Sequence, residues 1–477
     1  MKRLSIPVII VGLFIVIGIS PIAAGAAGQS DSSSTSATIP LCKNSYKRKA
    51  VTAKTLQDLV HSHERWVEAR GNSDAKRMEL CQADLSGAAL VGANLERADL
   101  EGTVLRQAKL SQATLSQASL AGADLTKAIL KDSIISGADL RRARLTGANL
   151  SHAVGDEAAL LDAILTGAKL NEASFERAQL QGSDLAAADL SRGHFVEAYF
   201  YGATLKGAIL VNADLTGSDL RRTDLAHANL SRANLQHTLL DRTQLEHAQL
   251  VEADLTNAYL DEANLEEANL KKATLRRADL RYANLQGANL QEAEAEGANL
   301  EAAVLVKADL NSAKLRMALF HNTVLAEVDF LDADLTRAVL IGANGLHTNF
   351  MNADLSEIYA PKSSFRYARF NRANLQLSNF VGADLHGSIF SYADLTYANL
   401  QDANLQETNL QNAILAGADL NGARLDSADL HRTNLKGAML SSAIGLTQTQ
   451  LNAACIDGKT KLPPKLSRPA PCGPAKK

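Results

Sequence analysis

From Leu85 to Leu440, nearly every fifth residue is Leu or Phe, Ala usually stands two positions earlier, and Asp or Asn lies between them. Ala83-Asp84-Leu85, Ala93-Asn94-Leu95 and Ala98-Asp99-Leu100 set the pattern. The 360 residues from Cys81 to Leu440 divide into 72 pentapeptides without an insertion, and the large position departs from Leu or Phe at Ile135, Gly155, Ala295, Gly345 and Ala360. A period of five suits neither common element. On an α-helix five residues advance about 500°, so the large residues precess and form no stripe. On a straight strand an odd period sends successive large residues to opposite faces. Leu and Ala both stay inside only if the chain turns a corner in every pentapeptide and winds into a coil that stacks on itself.

The number of sides per coil is read from charge. At twenty-residue spacing the chain offers Arg276–Glu296–Arg316, Glu157–Arg177–Glu197 and Arg232–Glu252–Lys272–Glu292. Opposite charges one coil apart stabilise neighbouring strands by a few tenths of a kcal/mol, roughly, per pair. Fifteen-residue pairs such as Asp162–Arg177 and Arg281–Glu296 also occur, so the spacing favours four sides over three without excluding three.

The A-D/N-L-x-x pattern resembles the pentapeptide-repeat family over about three quarters of the chain. The resemblance implies an all-β solenoid, a right-handed, four-sided β-helix with the Leu or Phe and the preceding Ala pointing inward. It extends to the flanks: His63 to Gly71 is similar to a helical lead-in, and Gly445-Leu446-Thr447 through Cys455 and Thr460-Lys461-Leu462-Pro463 is similar to a recurrent C-terminal tail. Four sides give about 18 coils and, at roughly 4.8 Å between strands, a rod about 87 Å long. Gly155, Gly345 and Ala360 thin the interior, and Ala343-Asn344-Gly345-Leu346 resembles Ala443-Ile444-Gly445-Leu446, where the repeat ends. A kink or bulge is therefore expected near 345–361, where Pro361 also lies.

The expected divisions are a signal peptide at 1–26, a linker at 27–50, an N-terminal helical cap at 51–80, repeats at 81–440, and a C-terminal cap and tail at 441–477. Lys2 and Arg3 precede an uncharged run from Leu4 to Gly28, and Ala24-Gly25-Ala26 supplies small residues for cleavage after Ala26. An uncleaved anchor is the alternative, and either reading places the remainder outside the cytoplasm, periplasmic or secreted. Gln29 to Pro40 is Ser/Thr-rich, and Lys47, Arg48 and Lys49 read as a solvated run rather than a membrane-surface patch. Leu56, Leu59, Val60, His63, Trp66 and Val67 make one face of an amphipathic helix stopped by Gly71. Thr447 and Gln450 have capping-box spacing before a short helix.

Composition narrows the chemistry. Aromatic residues are 4% of the chain, charged residues 21%, and the net charge is -3, which excludes a generally basic nucleic-acid binder. Four cysteines with no CxxC exclude zinc ribbons and thioredoxin-like motifs. Asp recurs beside Leu by rule, so no two carboxylates stand out as an acid/base pair. His61 and His63 lack a ligand partner at credible spacing. His227, His247 and Glu267 stack at twenty-residue intervals but point outward from a flat wall, without supporting groups behind them. No phosphate loop, HExxH or GxSxG is present. The sequence therefore predicts no enzyme, no cofactor and no metal. Thr126, Thr146 and Thr166 are followed by Ala186, too short a threonine ladder for an ice-binding face.

What remains is an exported structural or protein-interaction scaffold. Its partner is an unidentified protein or envelope component, with no nucleic acid and with a membrane only if the N-terminal segment stays uncleaved. The alternative is a DNA-mimicking, topoisomerase-binding member of the same family, which needs a concentrated negative stripe. Tyr199 and Tyr201 flank Phe200 on one wall, and Tyr359, Lys362, Arg366, Tyr367, Arg369 and Arg372 form the candidate interaction surface. The cysteines bracket the two end segments, and export favours local bridges Cys42–Cys81 and Cys455–Cys472.

Overall fold

The computed structural model describes residues 46–71 and 74–469. The signal segment with its Ala26 site, most of the linker, and both Cys42 and Cys472 lie outside these residues.

Each pentapeptide makes one side and one corner. The Leu carbonyl accepts from the N–H three residues on, as Thr103 N–H donates to Leu100 O at 3.1 Å, closing a turn over the two intervening residues. The second of these is left-handed at every repeat from Gln82 to Gly437, with φ between 52° and 73°. The residue before the next Leu then forms a single parallel rung. The rungs pair residues twenty apart throughout the repeats: Asp84 with Val104, Ala89 with Lys109, Asn94 with Thr114, Asp99 with Ser119. Four walls are thereby fixed, named here one to four after these four rungs. The fifteen-residue alternative is excluded.

Per pentapeptide, three further backbone N–H groups bond to neighbouring coils. Leu100 N–H donates to Ser119 O at 2.8 Å, Gly102 N–H to Ala121 O at 2.9 Å, and Ser119 N–H returns to Ala98 O at 2.9 Å. The remaining N–H, on the first corner residue, is where the Asp or Asn acts. Its side-chain oxygen accepts that N–H, as Asp84 accepts from Ser86 at 3.0 Å and Asn94 from Glu96 at 3.1 Å. The polar member of the repeat is thus a turn-former.

Leu, Phe and Ala positions of the repeats form one continuous buried core. Where Thr or Ser replaces Ala, most hydroxyls reach a carbonyl, as Thr243 Oγ1 does to Leu220 O at 2.7 Å and Ser133 Oγ to Leu130 O at 2.7 Å. Behind wall two, Phe330, Phe350, Phe370 and Phe390 stack face to face with centroids 5.0, 4.9 and 4.6 Å apart.

The expected thinning and kink do not occur. A side chain at Gly155 would run into the Phe175 ring, and one at Gly345 into Phe365, so in each case the Phe one coil later fills the space. Ala360 likewise has Phe380 one coil on, and both are fully buried. The rungs Val339–Tyr359, Asn344–Ser364 and Tyr359–Asn379 continue without a slip. Pro361 occupies the first corner position, the one whose N–H takes no part in the ladder, and Tyr359 before it is not an Asp or Asn seeking that N–H. Proline is therefore accommodated without loss of a bond.

At the N-terminal end, α1 spans Ala53–Glu68, capped by Thr52, whose hydroxyl accepts from Thr55 N–H. Residues 46–50, expected to be linker, instead lay a rung on wall one: Ala50 pairs with Asp84, and Arg48 N–H donates to Gln82 O at 2.7 Å. His63 fixes α1 to the first coil. Its ring is fully buried, accepting from Met78 N–H at Nδ1 (3.0 Å) and facing Glu96 O from Nε2 (3.0 Å). At the other end, α2 (Gln448–Ala453) begins with the reciprocal Thr447–Gln450 capping box. Cys455 and Lys461 then add rungs beneath Asn434 and Met439.

Candidate interaction surface

Outward side chains come from the two corner residues and from the single rung residue of each wall, and both kinds stack one coil apart, as wall residues Asn374 and Asp354 do at 3.0 Å. Of the residues singled out above, the corner column between walls one and two carries Arg366 and Tyr367. Tyr367 lies in it with its ring centroid 5.5 Å from His347 and 5.4 Å from His386. The Arg366 guanidinium stands 5.9 Å from the same ring and 3.7 Å from Asp384. His386 in turn faces Glu407 at 3.8 Å. Tyr367 settles over Gly387, where any Cβ would meet its ring.

The six candidates do not share one face. Arg366, Tyr367 and Arg369 occupy one corner and the adjoining wall two, whereas Tyr359 is a wall-four rung, Lys362 sits at the corner after it, and Arg372 lies at the far corner of wall two. All six are exposed. Grouping by sequence proximity fails because thirteen residues travel round more than half a coil. His347 and His386, missed from sequence, belong to the column because they lie about one coil from Tyr367. The twenty-residue spacing already applied to charges was the signal for them. Tyr201 on the fourth corner is similarly approached by Arg221, 5.9 Å from its centroid.

Of the metal-like residues, His227 and His247 stack at 4.9 Å and His247 reaches Glu267 at 3.2 Å, as twenty-residue spacing implies. Among the described residues no group of three or more His, Cys, Asp or Glu is arranged to hold a metal ion. His61 and His63 part company: the first is exposed beside Glu64 at 3.9 Å, the second is the buried latch.

The carboxylates are occupied structurally. The Ser86 hydroxyl and backbone N–H hold Asp84 below the usual carboxylate range. Burial pushes Asp124 upward, but hydrogen bonds from Thr126 and Arg106 outweigh it and leave the group lowered. Asp241 is raised, by burial first and then by the neighbouring Asp261 charge, with Arg221 opposing. It stands half-buried at the first corner position after wall four. Elsewhere acids and bases interleave along the columns, as in Arg242–Glu262 and Arg337–Glu357, each 2.9 Å apart. No continuous negative stripe forms along these corners.

Cys81 is buried at the first coil and Cys455 lies beyond the last, and no free cysteine occurs among the described residues.

Comparison with known proteins gives a consistent result. A family model described as "Pentapeptide repeats (8 copies)" matches overlapping segments that together span 72–357 and 368–441. Solved structures similar to parts of the chain include HetL, a pentapeptide repeat protein involved in heterocyst differentiation regulation from the cyanobacterium Nostoc sp. strain PCC 7120. That match has 28% identity, covers 59% of this chain and 89% of that one, and has a TM-score of 0.16. A pentapeptide repeat protein from the Arabidopsis thaliana thylakoid lumen is 30% identical over 22% of this chain and 65% of its own, with a TM-score of 0.13. Full-length QnrB1, a plasmid-mediated fluoroquinolone resistance protein, is 17% identical over 43% of this chain and 92% of its own, with a TM-score of 0.18. No curated protein matches the chain.

Proposed function

Because the chain belongs to the pentapeptide-repeat family, we propose that it is an exported, non-catalytic scaffold of about eighteen coils closed by two caps. Its outer surface binds a protein or another envelope component. The observation that carries the reading is the commitment of side chains to architecture: inward positions pack, and the repeated carboxylates accept turn N–H groups. Contact chemistry is left to the outward corner and wall side chains. Arg366, Tyr367 and Arg369 are the proposed contact residues, since exposed Tyr and Arg dominate binding energy where they cluster. Interleaved ion pairs favour this reading over DNA mimicry, which needs unbroken negative charge.

Export rests on Lys2 and Arg3 before the uncharged run and on the Ala24-Gly25-Ala26 site. The bridges Cys42–Cys81 and Cys455–Cys472 belong to the same proposal. They are supported by the position of Cys81 and Cys455 at opposite ends of the stack, too far apart to bond each other.

The test combines fractionation with site-directed crosslinking. The mature mass should correspond to cleavage after Ala26, and a photoreactive group at position 369 should capture a discrete species. Replacing Arg366 and Tyr367 with Ala should abolish that capture while the circular dichroism spectrum is retained. Unchanged capture moves the interface elsewhere, and recovery in the cytoplasm with an intact N-terminus overturns export.

A further inference from the structure

The first coil is covered unequally. On wall one, the extended segment 46–51 supplies a complete upper rung: Val51 N–H donates to Asp84 O (3.3 Å), Arg48 N–H to Gln82 O (2.7 Å), and Asp84 N–H to Lys49 O (3.0 Å). On wall four, Met78 O accepts from Asp99 N–H at 2.9 Å and Leu80 N–H donates to Asp99 O at 2.8 Å. Wall two has no such cover. Among the described residues, Ala89 N–H, Ala89 O and Val91 O have no backbone partner, although in every coil below the equivalent groups join the ladder. This edge opens into a groove of about 660 Å³ between the coil and α1, lined by Leu56, Val60, Ala88, Ala89, Leu90 and Val91.

We propose that this groove is a strand-addition site that takes an extended peptide, laid parallel to the first coil on wall two. The neighbouring wall shows that a segment outside the repeat register can be added to this rim, since Ala50 does so beside Asp84. The edge sets the hydrogen bonds: one peptide carbonyl receives Ala89 N–H, and two peptide N–H groups, two residues apart, donate to Ala89 O and Val91 O. An apolar peptide side chain packs on Leu56 and Val60, in the manner of β-augmentation. Charge narrows the class further. The charged groups on the groove wall are the carboxylates of Glu64 and Asp84, with His61 close to Glu64, so a peptide with Lys or Arg beside its apolar residue is favoured. A second copy of the chain cannot donate its own last coil there by simple end-to-end stacking. Below wall two that coil is closed by α2, with Gln450 Nε2 bonded to Leu425 O and Ala428 O and Ala453 O accepting from Arg432 N–H.

The natural probe is a synthetic peptide of residues 106–113, Arg-Gln-Ala-Lys-Leu-Ser-Gln-Ala, which already forms the rung beneath Ala89 and carries two cations. Titrated into the full chain, it should slow amide exchange at Ala89 and shift resonances of Leu56 and Val60. The variant Ala89→Pro removes only the free donor, because the rung to Lys109 uses Leu90 N–H and Ala88 O. It should weaken peptide binding by about tenfold, the loss of one ladder bond plus steric misfit, with exchange protection of the lower coils unchanged. A peptide with Glu in place of both cations should bind more weakly than the probe. An Ala89 amide already protected in the free chain overturns the proposal, as does equal affinity for wild type and Ala89→Pro or equal affinity for the two peptides.

Discussion

Two residue-level rules hold the repeat together, and only one of them was read from sequence. The inward Leu and Ala were legible because apolar side chains announce burial. The left-handed corner residue was not, because its position carries Arg, Glu, His, Gln, Tyr or Gly, a mixture that reads as any solvated surface position. Its signal lies in what is missing: no Val, Ile or Thr occurs at any second corner position from Gln82 to Gly437. A β-branched side chain is the worst occupant of positive φ. At Ala187 (φ 54°), replacement by Val should therefore lower stability by about 1–2 kcal/mol, and replacement by Gly should not, as read from denaturant midpoints. The Gly155–Phe175 exchange of volume gives a second case. Gly155→Ala alone forces the Phe175 ring aside and should cost about 1–3 kcal/mol. Gly155→Leu combined with Phe175→Leu restores the ordinary column and should recover most of that loss. Additive damage in the double variant would mean that the two positions do not share one space.

At the scale of elements, both helices were visible in sequence, α1 from its apolar spacing and α2 from its capping box, but what docks α1 was not. His63 was counted among the apolar face, and its function there is polar: two hydrogen bonds join helix and coil across a buried ring. Burial lowers its pKa below the ordinary 6.5, with Arg77 adding to the effect and the Glu96 carbonyl, Glu64 and Glu96 opposing it. Since the folded state favours neutral His63, its stabilisation is complete above about pH 6.5 and declines as pH falls below that value toward the lowered folded pKa. Protonation would also turn Nδ1 from an acceptor into a donor facing Met78 N–H. Trp66, the only tryptophan in the chain, stacks on His63 at 5.5 Å and reports the event. Its fluorescence-detected thermal midpoint should fall between pH 7 and 5. In His63→Gln, which cannot titrate, that fall should disappear, whereas an unchanged pH dependence would place the responsible group elsewhere.

For the whole molecule, four-sidedness was only favoured by charge spacing, and the ladder explains both the signal and its ambiguity. Arg177 pairs with Glu157 at 3.5 Å and Lys272 with Glu292 at 3.5 Å, twenty residues apart. Arg276 instead turns to Glu294 at 2.6 Å, because a corner side chain also reaches the adjoining wall. The kink expected at 345–361 was wrong because a single pentapeptide hides the compensating Phe, which stands a full coil away. The same repeat length decides how the molecule tolerates length change. Removing residues 221–240 deletes one coil, brings Leu220 to Asp241, and leaves every wall, column and corner phase in place. Removing 221–223 deletes fewer side chains but sends the following Asp into the first corner position and Leu into the left-handed one. Every downstream rung must then re-register or break, because each is fixed by its neighbour twenty residues away. The twenty-residue deletion should keep a cooperative unfolding transition with native-like β circular dichroism. The three-residue deletion should lose protection from exchange around the cut and lower the midpoint markedly. Equal damage from the two deletions would contradict a ladder whose unit is the four-walled coil.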